Sequence, residues 1–456
     1  MKTIGIVGLG TMGYNLGLNL KEKGFKPVGH DKDENKVKMA AEHGIPSFID
    51  LRKMIAELEF PRVIIVLVPA SYVDLVLHEL QGILEKNDIV IDGGNSNWKD
   101  TERRVKEFNG FRFIGMGISG GAEGARTGPS LMPGGDEATY DVVRPILEAI
   151  SAKFEDTPCC AWMGRGGAGH FVKMVHNGIE YADMELICEA YDFLRRFYGN
   201  DEIASVFSRW NQGMLQSFLM EASSDILKTT EGGSFLIDDI IDEAGQKGTG
   251  KWTAINALEL GIPLNVIGTS VNQRFVSSLR KLREDLSSTY IKAKYEISDK
   301  TMVSDLENAL LFGRIMAYAE GLHLLYEAER VHGWGLKPRN AVKVWRAGCI
   351  IRSYLLKPIL DVLDKPGSVH LLQSSEFAEL IHKTLPSAKR ILKLALSMNV
   401  PMPSLAAAIA QFESLTTFRL PANLIQAQRD YFGSHGFKRF SDPDIVSHWQ
   451  WKGKET

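Results

Sequence analysis

Thr3-Ile4-Gly5-Ile6-Val7-Gly8-Leu9-Gly10-Thr11-Met12-Gly13 decides how the N-terminal part of this chain folds. A β-branched run ends in glycines spaced G-x-G-x-x-G, and a helical stretch, Met12–Lys23, opens directly behind them. A strand that feeds a helix through this spacing is a dinucleotide-binding turn. Gly8 permits the tight turn, Gly10 lets the backbone approach a pyrophosphate, and Gly13 lets helix and strand pack closely. Thr11 and Met12 complete the turn at the helix N-terminus, whose N–H groups and dipole favour phosphate. The bland alternative is a glycine-rich turn without a ligand. Against it stands Asp31, 18 residues past Gly13, at the end of the next strand. A carboxylate there accepts hydrogen bonds from the adenosine ribose and repels a 2′-phosphate. Lys32 offsets part of that charge and Asp33 adds to it. The expected cofactor is therefore NAD, with NADP the alternative. The bland alternative for Asp31 is a helix cap or turn residue.

Outward from this turn, short apolar runs alternate with helical stretches. Strands are expected at Thr3–Val7, Lys26–His30, Arg62–Val68, Ile89–Asp92 and Arg112–Gly115, with a further one at Ser130–Met132 before a turn at Pro133-Gly134-Gly135. Helices are expected near Met12–Lys23, Glu34–Glu42, Leu51–Glu57, Tyr72–Leu84 and Lys99–Phe108. Such alternation implies an α/β Rossmann-type domain with a parallel sheet. The pattern changes at the glycine cluster Gly164–Gly169. Beyond it, 170–199, 201–229, 253–282 and 303–332 read at helical period. The expected organisation is a dinucleotide-binding domain over 1–168, a large all-α substrate and dimerisation domain over 169–425, and an irregular C-terminal tail over 426–456.

Composition bounds the function. The 456 residues allow two or three domains at roughly 150 residues each. Lys plus Arg number 53 against 56 Asp plus Glu, a net −3, which gives no electrostatic case for nucleic acid or a membrane surface. The longest apolar run, Val63–Ala70, is far short of the roughly 20 residues of a membrane span. The glycines after Lys2 interrupt any signal-like segment. The four cysteines are too few for a disulfide framework and form no C-x-x-C, so reduced thiols and a cytoplasmic location are expected. No convincing metal-ligand cluster stands out, and no metal is expected.

The strongest chemical signal follows the glycine cluster, in Gly169-His170-Phe171-Val172-Lys173-Met174-Val175-His176-Asn177-Gly178-Ile179-Glu180-Tyr181. On a helix Lys173, His176, Asn177 and Glu180 share one face, flanked by apolar residues. Such a stripe is either a solvated face or the wall of a cleft. In a cleft, a Lys shielded from water becomes a base and a Glu in apolar surroundings becomes an acid.

With these residues in view, the chain resembles the decarboxylating 6-phosphogluconate dehydrogenases. The resemblance is carried by Gly8–Gly13, Asp92-Gly93-Gly94-Asn95-Ser96, Ser119–Arg126 with Gly128-Pro129-Ser130, Phe171–Tyr181, Ala244–Trp252 and Leu424–Gly433. It implies oxidation of 6-phosphogluconate at C3, loss of CO2, and release of ribulose 5-phosphate. It makes Lys173 the general base and then acid, and Glu180 the general acid. It gives substrate contacts to Asn95, Ser119, Gly120, Gly121, His176, Asn177, Tyr181, Lys247 and Arg274. It also gives them to Arg429 and His435, which in the family reach the active site of the other subunit, so a homodimer with shared active sites is implied. Asn95 also faces the nicotinamide. Bland alternatives remain: Lys247 and Arg274 as surface cations, Ser119–Gly121 as a turn, His435 as a packed tail residue.

Two departures bear on the cofactor. NADP-using members usually carry a neutral residue, Arg and a hydroxyl residue where this chain has Asp31-Lys32-Asp33. They often carry a Lys where it has Val68-Pro69-Ala70, the segment expected to border the cofactor. The competing readings are a β-hydroxyacid dehydrogenase of hydroxyisobutyrate type, usually much shorter, and a non-catalytic nucleotide-binding protein, expected to lack Lys173 or Glu180. The pathway served, pentose phosphate or gluconate catabolism, stays open.

Overall fold

Residues 2–290, 302–365 and 370–451 are described by the computed structural model. The sheet is built from β1 (Thr3–Val7), β2 (Lys26–His30), β3 (Ser47–Phe48), β4 (Val63–Val66), β5 (Ile89–Asp92), β6 (Arg112–Ser119) and β7 (Ser130–Gly135). Between the strands run α1 (Thr11–Glu22), α2 (Glu34–Glu42), α3 (Leu51–Ala56), α4 (Val73–Gln81), α5 (Trp98–Glu107) and α6 (Gly121–Thr127); α7 (Glu137–Ile150) follows β7. The strand order is β3-β2-β1-β4-β5-β6-β7, parallel except for the antiparallel pair β6–β7. Burial explains the near-continuous apolar strands. Along β4, Val63 and Ile65 enter one core with Leu16 and Leu20, whereas Ile64 and Val66 enter the opposite core with Met54 and Leu77. Both faces are covered, so neither has a polar alternation to show.

The strand order reverses between β1 and β4, the switch point at which an open α/β sheet leaves room for a ligand. One expectation is corrected here. Pro133-Gly134-Gly135 is not a turn but the end of β7, in register with Met116, Gly115 and Ile114. β7 is an edge strand, the place where a sheet tolerates Pro and Gly. β3 is too short to carry a periodic signal, and the expected strand list lacked it.

The helical part begins with α8 (Ala168–Leu194) and continues with α9 (Asn200–Trp210), α10 (Phe218–Lys228), α11 (Thr249–Leu260), α12 (Asn265–Ser278), α13 (Arg280–Thr289), α14 (Met302–His332), α15 (Pro338–Val344), α16 (Leu356–Leu363) and α17 (Ser375–Ser397). The expected helical stretches 201–229 and 253–282 are each broken, the second at Gly261-Ile262-Pro263, where a left-handed glycine and a proline end α11. α8, 27 residues long, is buried almost all round, as a central helix must be. Its polar groups are paired: Asp183 binds Arg314 of α14, which also donates to Leu215 O (2.8 Å) and Ser217 Oγ (3.0 Å). Among the described residues no helix is long and apolar enough to cross a membrane, and all four cysteines are free.

Two compact units result, Met1–Ala408 and Ile409–Thr456. α18 (Pro403–Leu415) runs across their boundary. Within the second, the tail expected to be irregular is in part regular: α19 (Ala422–Gly433) is followed by a hairpin of Phe437–Arg439 and Asp442–Ser447. Asp430 organises it. Its carboxylate accepts from Gly436 N (2.9 Å), His448 Nδ1 (2.9 Å), Trp449 N (3.1 Å) and Trp451 Nε1 (2.7 Å). Burial works to raise its pKa, but these donors win and hold it at about 2. Donors from four residues converging on one buried carboxylate are a nonlocal pattern, which local sequence signals do not reveal.

Candidate active site

At the carboxyl ends of β1 and β4 the glycine turn takes the form a dinucleotide requires. Gly8 sits at φ +98°, and a Cβ on it would lie 2.6 Å from Leu67 O. A Cβ on Gly13 would lie 1.8 Å from Gly8 O, so only glycine lets α1 start this close to β1. A Cβ on Gly10 would meet nothing within 4 Å, which leaves that face of the turn open to a ligand. α1 begins without a side-chain cap, and Thr11 and Met12 form its first turn. Asp31 is tied to the turn: its carboxylate accepts from Leu9 N (2.8 Å) and Asp33 N (3.0 Å). The cap of α2 is Asp33, which accepts from Asn35 N, so Asp31 is not that cap; its bond from Asp33 N does make it the turn residue that the same alternative named. Lys36 lies 3.6 Å from Asp31, while Lys32 turns to Glu79 at 3.5 Å. Val68-Pro69-Ala70 follow β4 beside the turn, with Val68 Cγ1 3.0 Å from the place of a Gly8 Cβ. The residues expected at the nucleotide are thus together, and they fit one.

α8 meets the sheet at β6, where a Cβ on Gly117 would lie 2.4 Å from Lys173 Cβ. The polar stripe of α8 therefore points inward. Lys173 and Asn177 are each 8% exposed and His176 is fully buried, which excludes a solvated face for them. Glu180 keeps 23% of its side chain open. Three groups converge on His176 Nδ1: Asn177 Oδ1 at 3.0 Å, Lys173 Nζ at 3.3 Å and Glu180 Oε2 at 3.6 Å. The other ring nitrogen, Nε2, meets Ser119 Oγ at 2.9 Å and Cys349 Sγ at 3.0 Å. Burial lowers the Lys173 pKa against the pull of Glu180, and burial raises that of Glu180 against Lys173 and Arg274. Burial, with the Lys173 charge beside it, holds His176 well below the ordinary imidazole range, so the ring is neutral. The arrangement is an amine biased towards its free base and a carboxyl biased towards its acid, on either side of one neutral imidazole.

Two sequence profiles tile the chain. The profile for the NAD binding domain of 6-phosphogluconate dehydrogenase matches residues 3–164, and that for the 6-phosphogluconate dehydrogenase C-terminal domain matches 169–451. The chain belongs to the 6-phosphogluconate dehydrogenase family. It is 44% identical to the decarboxylating 6-phosphogluconate dehydrogenase of Aggregatibacter actinomycetemcomitans, over 99% of this chain and 96% of that one. It is 42% identical to the NADP(+)-dependent, decarboxylating enzyme of Bacillus subtilis, over 98% of each. The structure of Plasmodium falciparum 6-phosphogluconate dehydrogenase, known in apo form, with NADP+ and with 6-phosphogluconate, matches with TM-score 0.95 at 37% identity, covering 98% of this chain and 100% of that one. This family member is an NAD(P)-dependent, decarboxylating oxidoreductase.

The other residues singled out for a 6-phosphogluconate dehydrogenase site fall into four groups. Ser119-Gly120-Gly121 closes β6 and starts α6, with Ile350 N donating to Ser119 Oγ at 3.3 Å. Arg274 of α12 stacks on Tyr181 of α8 (4.6 Å) and donates to Gly245 O (3.1 Å), so it joins the stripe to the loop that carries the exposed Lys247. Asn95 is exposed on the loop between β5 and α5. That loop is fixed by Asp92, which accepts from Gly94 N (3.0 Å), Ser96 Oγ (2.7 Å) and Arg104 Nη1 (3.1 Å). Arg429 and His435 are exposed in the second unit. Sequence reasoning missed Cys349, which it counted only among the reduced thiols, and Arg104. Cys349 meets His176 across 173 residues, which no local motif spans, and Arg104 reaches back 12 residues to Asp92 from the helix after the loop.

Proposed function

We propose that this chain oxidises 6-phosphogluconate at C3 with NAD, releases CO2 and yields ribulose 5-phosphate, with Lys173 and Glu180 moving the protons. The reading rests on one observation: Lys173 and Glu180 flank the same nitrogen of a buried, neutral imidazole. Gly8, Gly10, Gly13 and Asp31 would hold the dinucleotide, which when bound would supply the acceptor for the hydride from C3. Lys173, uncharged, takes the C3 hydroxyl proton. As an ammonium it then returns that proton to the new C3 carbonyl oxygen while the C1–C2 bond breaks, so the electron pair flows into an enediol and CO2 leaves. Glu180, protonated, donates to the carbon that becomes C1 of the product, and Lys173 recovers the enediol hydroxyl proton. Ser119, Gly120, Gly121, Asn95, His176 and Asn177 orient the acid and its hydroxyls. Tyr181, Lys247 and Arg274, with Arg429 and His435 of a second subunit, hold the phosphate. Reduced-nicotinamide absorbance together with CO2 release from 6-phosphogluconate tests the reading. Equal turnover of non-phosphorylated β-hydroxyacids overturns it.

The protonation states set the pH profile. Turnover requires Lys173 without its proton and Glu180 with its own, so loss of the Lys173 proton raises activity with pH and loss of the Glu180 proton lowers it; burial moves the two pKa values towards each other, Lys173 down and Glu180 up. Glu180→Gln, which cannot ionise, is expected to lower kcat by about 10²–10³-fold and to abolish the alkaline limb. An unchanged alkaline limb assigns that limb to another group.

The NAD preference rests on Asp31. Its carboxylate, held by Leu9 N, puts negative charge where a 2′-phosphate would lie. The Bacillus subtilis relative is NADP(+)-dependent, so the NAD reading for this chain stands on its own local charge, Asp31. Asp31→Ala is expected to lower kcat/KM for NAD by about tenfold, the worth of a lost charged hydrogen bond, and to raise it for NADP. A wild-type enzyme that prefers NADP overturns the assignment.

Assembly as a homodimer is supported by the second unit, which exposes Phe418 (98%), Phe432 (73%) and Phe440 (74%) among other large apolar side chains. Apolar exposure on this scale marks an interaction surface.

A further inference from the structure

Cys349 is fully buried in the site, yet the reaction as derived gives it nothing to do. Its Sγ lies 3.0 Å from His176 Nε2 and 3.5 Å from Ser119 Oγ. Its segment cannot swing freely. Gly348 O accepts from Ser130 N (2.8 Å), Ser130 Oγ donates to Val344 O (2.7 Å), and the Tyr318 hydroxyl donates to Ile351 O (2.9 Å). We propose that Cys349 is a positioning residue: its S–H holds His176 in the tautomer that carries the ring proton on Nδ1 while substrate is bound.

The inference deepens the proposed function and rests on Lys173 being the base. A neutral imidazole has one N–H. Asn177 Oδ1, an acceptor at 3.0 Å, claims it for Nδ1, so Nε2 is left as an acceptor in need of a donor. Two donors face Nε2, Ser119 O–H and Cys349 S–H. In the proposed reaction the Ser119 hydroxyl turns to the substrate, and Cys349 S–H is what remains. Without it the proton is drawn to Nε2. The Nδ1 lone pair then faces Asn177 Oδ1 and invites a proton onto Lys173, the wrong state for the base. The charged and titratable groups packed around this network are Lys173 and Glu180 of α8, Arg274 of α12 facing Glu180, the pair Asp183–Arg314, and Tyr318 of α14. Among the described residues, only Ser119 and Cys349 hydrogen-bond to Nε2.

The test uses full-length Cys349→Ala and Cys349→Ser with pH profiles of kcat. Cys349→Ala is expected to lower kcat about tenfold, to leave KM for 6-phosphogluconate within about twofold, and to move the acidic limb to higher pH. Cys349→Ser keeps a donor and is expected to recover most of kcat and return the limb. Packing alone would not separate the two variants in this way. An alanine variant with wild-type kcat and limb, or a serine variant as impaired as alanine, overturns the proposal. Should Cys349→Ala not fold, nitrogen NMR of the histidines in the wild-type ternary complex decides: a proton on His176 Nδ1 is expected, and one on Nε2 overturns it. Lys173→Met separates the two levels. If that variant stays active, the base assignment fails and takes this proposal with it; if it is inactive, an overturning Cys349 result refutes the thiol's role alone.

Discussion

Lys173→Met is expected to lower kcat by about 10⁴-fold and, at the same time, to make the protein more stable. The loss follows from the double duty the proposed reaction gives one amine, which takes a proton during oxidation and returns it during decarboxylation. No neighbour can substitute, since His176 is held neutral and below the ordinary imidazole range and Glu180 is biased towards its acid form. The gain follows from burial. Lys173 is 8% exposed beside Gly117, and its nitrogen has only His176 Nδ1 at 3.3 Å as a hydrogen-bond partner among the described residues. Folding must either shed its proton or desolvate its charge, and both cost free energy. Methionine fills a similar volume without that cost, so Tm is expected to rise, by about 1 °C for each kcal/mol gained in a chain of this size. Steady-state assay and calorimetry check the two halves. A kcat within about tenfold of wild type removes Lys173 from the chemistry, and a lowered Tm shows instead that the His176 contact outweighs desolvation. The dinucleotide should bind as tightly as before, because the glycine turn makes no use of the amine.

The sheet and the nucleotide turn were legible because their determinants are local. Gly8, Gly10 and Gly13 act within one strand–turn–helix, and Asp31 follows at a fixed offset. The α8 stripe was legible because helical period alone puts Lys173, His176, Asn177 and Glu180 on one face. What periodicity left open was which way the face points, and Gly117 and the apolar flanks decide that by letting the helix press against β6. The failures have the opposite origin. Pro133–Gly135 carries turn residues but lies on an edge strand, where pairing with β6 overrides their preference. The tail sequence is polar and aromatic without clear period, and it folds around a single carboxylate, Asp430. Cys349 had no local signal at all: it matters only because the chain returns it to His176 after 173 residues.

Removal of residues 426–456 is expected to abolish turnover while dinucleotide binding persists, and the reason is chemical rather than structural. The glycine turn, Asp31 and Val68 all lie in the first unit, so the nucleotide end stays whole. What is lost are Arg429 and His435, whose cationic and imidazole groups the proposed function assigns to the phosphate end of the substrate. Both are exposed on a unit that also exposes Leu424, Ile425, Tyr431 and Phe432, which fits side chains presented to a second subunit. A mixing experiment separates that arrangement from a tail acting on its own chain. Lys173→Met and Arg429→Ala homodimers should each be inactive. If sites are shared, a heterodimer of the two holds one site with both Lys173 and Arg429 intact, and one with neither. After equimolar mixing and subunit exchange, about a quarter of wild-type activity is expected to return. If each tail serves its own chain, both sites of the heterodimer lack one group and the mixture stays inactive. Full activity in the truncated protein would remove the tail from the site altogether.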